Sequence, residues 1–210
     1  AGMQGRAAAY RLQAANRARR MSAHEEALGH LESGLALVRM LPDGADRMQL
    51  EFGLQTALGT VLISMHGYAS PGVDRAFLRA RELARALGDP PEVLHVLLGQ
   101  VMFHLMRGQM DKAWQEGEHL LELAERIEGQ AQWSAYLVTI HVLLGVTALY
   151  RADYAGAHEH LETTFALYDG DRHRDLAYQQ GQDPAVAARA FRARLLWLRG
   201  YPGQALGAAQ

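Results

Sequence analysis

The 210-residue sequence predicts an all-α protein, an α-solenoid of antiparallel helix pairs with about nine to ten helices. Three observations predict it. Alanine is abundant in a chain that is 49% hydrophobic, and alanine is the residue that a helix tolerates best. Proline occurs only 6 times and never inside a periodic run, so it marks ends rather than kinks. A small residue also returns at matching places after successive turns.

Composition narrows function mainly by exclusion. Net charge is −2 and the pI about 6.6, which gives no bulk case for nucleic acid or a membrane surface. With 0 Cys there are no disulfides and no thiolate metal ligands, and a reducing cytoplasm is the expected location. Apolar runs such as 93–106 are broken by His95, Gln100 and His104. They fall short of the roughly 18 apolar residues of a membrane span. The opening Ala1-Gly2-Met3 lacks the basic and apolar regions of a secretory signal.

Taken in order, the helices pair off. The first pair is expected over Gly5 to Met21 and Ala23 to Met40, ending before Leu41-Pro42-Asp43-Gly44. The second covers Asp46 to His66 and Pro71 to Leu87, the third Pro90 to Arg107 and Met110 to Ile127. The fourth covers Ala131 to Arg151 and Tyr154 to Tyr168. The fifth begins with Pro184 to Arg199 and continues from Pro202. Ser70-Pro71, Asp89-Pro90 and Asp183-Pro184 each read as an N-cap followed by proline at the first helical position. Glu92, three residues after Asp89, adds a capping-box pattern. Short connections make neighbours antiparallel; the longer ones are Ala69 to Asp74 and Gly170 to Gln182.

The clearest unit runs from Leu144-Gly145 through the turn at Arg151-Ala152-Asp153 to Tyr154, Ala157 and Leu161. It resembles the tetratricopeptide repeat, a helix–turn–helix of about 34 residues. Weaker copies align on Ala27, Ala76, Ala113, Ala157 and Ala205, where only a small side chain lets two helices approach. Leu31, Leu120 and Leu161 follow a turn later. The turn glycine is Gly108 or Gly200, replaced by Ser22 and Ala152 in two units; Tyr68-Ala69-Ser70-Pro71-Gly72 lengthens another. The resemblance implies stacked pairs with the first helix of each on a concave face. It also implies one domain over residues 1–210, cut from a longer protein.

A further resemblance lies in Asp171-Arg172-His173-Arg174-Asp175-Leu176-Ala177, Gly181-Gln182-Asp183-Pro184-Ala185-Val186 and Trp197-Leu198-Arg199-Gly200-Tyr201-Pro202. Gly67-Tyr68-Ala69 with Pro71, and Leu41-Pro42-Asp43-Gly44, extend it. Together they are similar to the C-terminal helical-repeat region of bacterial multidomain signalling proteins. There, a nucleotide cyclase or protein kinase domain precedes an AAA-type ATPase module. The chain departs from that pattern at Gln180, Arg194 and Arg199, where the family has an aromatic residue, a tryptophan and an apolar residue. These changes make the last long helix more basic. The resemblance implies a sensing or interaction segment within a longer regulatory protein.

Candidate chemistry is sparse. No Gly-rich loop ends in Gly-Lys-Ser/Thr, and the single lysine, Lys112, opens a helix. His158-Glu159-His160 is the densest of the 10 histidines, but i and i+2 on a helix diverge by about 200°, so they do not share an ion. Ser22, Ser33, Ser64, Ser70 and Ser134 sit in no nucleophile elbow. Glu25-Glu26 and Glu116/Glu118 fit solvated helix faces. The expectation is a non-enzyme without metal or cofactor. Arginines gather in Arg6, Arg11, Arg17, Arg19 and Arg20 and again in Arg189, Arg192, Arg194 and Arg199. Without interleaved aromatics, nucleic acid is not the expected partner.

That leaves a partner-binding groove. The repeat register assigns it His95, Leu98, Met102, Leu105 and Met106, then Val142, Val146, Leu149 and Tyr150, then Arg194 and Trp197. An apolar lining with methionine and polar flanks suits a peptide, an amphipathic helix or a neighbouring ATPase or cyclase module. The alternative is a small-molecule-sensing helical domain of a transcriptional or cyclase regulator.

Overall fold

A computed structural model describes residues 2–126, 133–173 and 183–209, with Trp133 described by its backbone only. Among these residues the chain is all-helical, with 11 helices, no strand, and helices packed in neighbouring pairs. They are α1 (Met3–Arg20), α2 (His24–Val38), α3 (Ala45–His66), α4 (Pro71–Ala86), α5 (Val93–Met106) and α6 (Met110–Arg126). Then follow α7 (Trp133–Tyr150), α8 (Tyr154–Leu167), α9 (Gly170–His173), α10 (Pro184–Leu198) and α11 (Pro202–Ala208). The helix beyond the expected count is α9, 4 residues inside the connection expected over Gly170 to Gln182. The expected helix ends at Ile127 and Ala131, and the motif residues Arg174 to Gln182, lie outside the described residues.

The chain forms two compact units, Ala1–Arg107 and Gly108–Gln210, so the third expected pair falls on either side of a unit boundary. In the first unit α1 packs on α2, α2 on α3, α3 on α4 and α4 on α5, and α1 also meets α3. In the second, α7 packs on α6 and α8, and α10 packs on α7, α8 and α11.

Three helix starts follow from side-chain caps. Ser70 accepts the Gly72 amide at 3.3 Å, and Asp183 accepts those of Ala185 and Val186 at 2.8 and 3.2 Å, each beside a proline at the helix start. Asp153 likewise accepts from Gly156 at 3.0 Å. Asp89 corrects the sequence expectation. It does not cap α5, which begins four residues later at Val93. Its amide instead donates to Ala84 O at 2.8 Å, closing α4 around Gly88 in the left-handed region. Pro90 and Pro91 then form a turn whose carbonyls accept from Val93 and Leu94.

The pairing turns share one geometry. Ser22, Gly108, Ala152 and Gly200 have φ of 59°, 71°, 60° and 85°. After Ser22, Ala152 and Gly200 the next amide reaches back to Ala18 O, Ala148 O and Leu196 O at 2.9 Å. Orphan carbonyls at the helix end are thereby satisfied. The small residues aligned by sequence, Ala27, Ala76, Ala113, Ala157 and Ala205, are all buried, and so are Leu31, Leu120 and Leu161. Close approach extends to glycines. A Cβ on Gly145 would meet Leu161 at 2.9 Å, and one on Gly59 or Gly99 would enter the Phe77 ring, which α4 inserts between α3 and α5.

Candidate functional site

The groove residues divide by burial. Leu105, Val142, Val146 and Leu149 are 6%, 7%, 4% and 4% exposed, so they form core and do not line a surface. The cause is visible in α7: apolar residues cover all sides of it, from Leu137 and Val138 to Ala148 and Leu149, and nearly every side is buried. Leu98 and Met102 are half-buried, while His95 and Met106 keep exposed faces. Tyr150, Arg194 and Trp197 do reach the surface.

These last three form a cluster in the second unit. Arg194 and Trp197 stand three residues apart on α10, hence on neighbouring parts of one helical face. Arg194 Nη1 donates to the Tyr150 hydroxyl at 3.1 Å, with its guanidinium 5.5 Å from the ring centre. Phe191 meets the same ring edge-on at 6.5 Å. Trp197 is 66% exposed, and Leu198, Tyr201 and Leu206 add exposed apolar surface that the repeat register does not assign. Arg199 stacks over Tyr201 at 5.8 Å. Residues 184–210 contain Arg189, Arg192, Arg194 and Arg199 and no acid. Arg192 is neutralised by Glu162 at 2.9 Å; the other three are exposed. Tryptophan, tyrosine and arginine are the side chains that most often anchor protein interfaces.

The first unit contains a cleft of about 650 Å³ between α1, α3 and the start of α5. Leu12, Asn16 and Arg19 of α1 face Phe52, Thr56 and Thr60 of α3, and His95 closes one side. Thr56 and Thr60 donate to the carbonyls four residues back at 2.9 and 3.0 Å. With its own proton thus committed, Thr60 Oγ1 accepts from His95 Nε2 at 3.1 Å, which leaves Nδ1 as an acceptor on a neutral ring. Burial in the cleft wall, and secondarily the Arg19 charge, hold His95 below the usual histidine pKa. Of the clefted residues only His95 belongs to the expected groove. The readable signal was on α3: Gln49, Gly53, Thr56 and Thr60 place a polar, small stripe on one side of an otherwise apolar helix.

Four histidines of the second unit, His141, His158, His160 and His173, have partners within the chain. His160 leaves its sequence neighbour His158 and meets His141 of α7, Nδ1 to Nδ1 at 3.0 Å; His158 turns instead to Glu162 at 3.8 Å. Trp114 packs edge-on against His160 at 5.6 Å. Burial, with the charge of His160 second, lowers the His141 pKa to about 4. His173 Nδ1 accepts the Asp169 amide at 2.9 Å and its Nε2 donates to Ser134 at 3.0 Å, a pair of bonds that only the neutral ring makes. Among the described residues no three His, Cys, Asp or Glu side chains converge on a metal position. No helix there is long and apolar enough to cross a membrane. Compared with known proteins, the chain matches no protein-family model, no curated protein and no solved structure.

Proposed function

We propose that the chain is a non-catalytic interaction domain, a tetratricopeptide-like helical array that docks a protein segment. The observation that carries this reading is the exposed Tyr150–Arg194–Trp197 cluster, an aromatic and cationic face on a rigid helix. The repeat register is supported by the left-handed turn residues Ser22, Gly108, Ala152 and Gly200 and by the buried alanine that follows each of them, Ala27, Ala113, Ala157 and Ala205. The acid-free stretch 184–210 favours a partner that is apolar and acidic. By the resemblance of the C-terminal motifs, that partner is a neighbouring module of a cytoplasmic regulatory protein, such as an ATPase or cyclase module.

Peptide display against the immobilised chain tests the reading. Selected peptides should combine acidic residues with apolar anchors. They should bind a Trp197→Ala/Arg194→Glu variant at least about tenfold more weakly, the loss expected when interface anchors are truncated. Peptides that bind the variant and the parent chain equally would move the docking surface elsewhere. Trp197 is exposed and Arg194 loses only its surface contacts with Tyr150, so the variant should lose no more than about 2 kcal/mol and stay folded, which separates lost binding from lost fold.

A further inference from the structure

The cleft of the first unit contains a polar group whose hydrogen-bonding capacity is unused. Arg19 Nε is buried without a hydrogen-bond partner, and Arg19 makes no ion pair among the described residues. A buried guanidinium N–H left without an acceptor is costly, and the natural complement of its planar donors is a carboxylate. Other lining residues are of opposite character: Leu12, Phe52 and Leu87 present apolar surface. The volume of about 650 Å³ lies within the range of small-molecule sites, and so does the mixture of an apolar lining with few convergent polar groups. Thr60 fixes the imidazole of His95 at 3.1 Å, leaving Nδ1 to accept a hydrogen bond or, once protonated, to donate one. Glu92 is the single acid of the lining, so the cleft does not favour a cationic ligand over an anionic one by charge.

We propose that this cleft is a binding site for an amphiphilic monocarboxylate, with its carboxylate on Arg19 and its apolar body against Leu12, Phe52 and Leu87. The site lies in the first compact unit and is independent of the aromatic–arginine face of the second. No bond is made or broken. The ligand's carboxylate pairs with the Arg19 guanidinium, and its body displaces water from the apolar lining residues. Asn16, at the same cleft, offers a further donor to a carboxylate oxygen.

Calorimetric titration of the full chain with decanoate and with 2-naphthoate, each against its neutral alcohol analogue, tests this. At least one acid should bind, and its alcohol should bind about ten- to a hundredfold more weakly, the range expected for a charge-assisted pair. Arg19→Met should erase the difference between acid and alcohol, because it removes the charge and keeps the stem. Ala57→Met, which fills the cleft from α3, should weaken acid and alcohol alike. Circular dichroism melts of both variants establish that the fold persists. Preference for decanoate identifies an alkyl acid and preference for 2-naphthoate an aryl acid. Equal binding of acid and alcohol, no binding of either acid at millimolar concentration, or acid binding unchanged in a folded Arg19→Met variant would each overturn the proposal.

Discussion

At the residue scale, two of the turns that join paired helices hold side chains where glycine is preferred. Ser22 and Ala152 sit at φ of 59° and 60°, a region that costs a residue with a Cβ about 1–2 kcal/mol. Glycine gives back part of that through its greater unfolded-state freedom. Ser22→Gly and Ala152→Gly should therefore each stabilise the chain by up to about 1 kcal/mol. Gly108→Ala and Gly200→Ala, at φ of 71° and 85°, should destabilise it by a similar amount; urea midpoints at constant m-value check both. Titration acts at the same scale. His95, His141, His160 and His173 all have pKa values below the ordinary histidine value in the folded chain, burial being the largest cause in each. The unfolded chain thus binds protons that the folded chain refuses once pH falls below about 6.5. Unfolding free energy should fall as pH drops from about 7.5 toward 5, with His141 contributing down to its folded value of about 4. Urea melts across that range should show the slope, and His141→Gln, which keeps a partner for His160, should flatten it. A slope equal to that of the parent would mean that the His141–His160 pair does not hold its protons off.

At the element scale, tight approach depends on residues without a Cβ. Phe77 of α4 rests on Gly59 of α3 and Gly99 of α5, and a methyl at either glycine would enter its ring. Gly59→Ala or Gly99→Ala should destabilise the chain by about 1–3 kcal/mol, as overpacking does. Phe77→Leu also costs stability alone, but it should make Gly59→Ala cheaper, so a double-mutant cycle should give a coupling of about 1 kcal/mol. Additive effects would show that the ring shifts freely. How far the elements were legible depended on where the sequence left an asymmetry. Boundaries were legible because Ser70-Pro71 and Asp183-Pro184 leave few other conformations open, and because Gly108 and Gly200 mark left-handed ends. Asp89-Pro90 misled because Asp89 also follows Gly88, and closing α4 took precedence over opening α5. The faces of α7 were not legible. A helix with Val138, Ile140, Leu143, Leu144 and Val146 has no polar side to orient it, so Val142, Val146 and Leu149 could be assigned to a groove while packing inside. Arg19 was legible only as charge; that it enters a cleft depends on α1 meeting α3, which no local pattern encodes.

At the scale of the whole molecule, each compact unit buries a core of its own. In residues 1–107 it includes Leu31, Leu54, Phe77 and Leu94, and in residues 108–210 Leu120, Ile140, Leu144, Leu161 and Leu195. Each is about 100 residues long, a size at which a single core normally sustains a fold. Helical arrays derive their stability from neighbouring elements, so a cut in the Arg107–Gly108 turn removes few of the contacts inside either unit. Expressed separately, residues 1–107 and 108–210 should each remain helical and unfold cooperatively in urea, and Leu144→Ala should weaken only the second by about 2–5 kcal/mol. The two binding proposals then separate. Residues 1–107 carry Arg19, Thr60 and His95 and should bind the carboxylate as the full chain does. Residues 108–210 carry Tyr150, Arg194 and Trp197 and should bind the selected acidic peptides. If both fragments fold but carboxylate binding moves to the second, the cleft assignment fails while the docking face stands. If peptide binding stays with the first, the reverse holds. If neither fragment is helical alone, the units are parts of one cooperative fold, and the separation of sites must be tested by point variants in the intact chain.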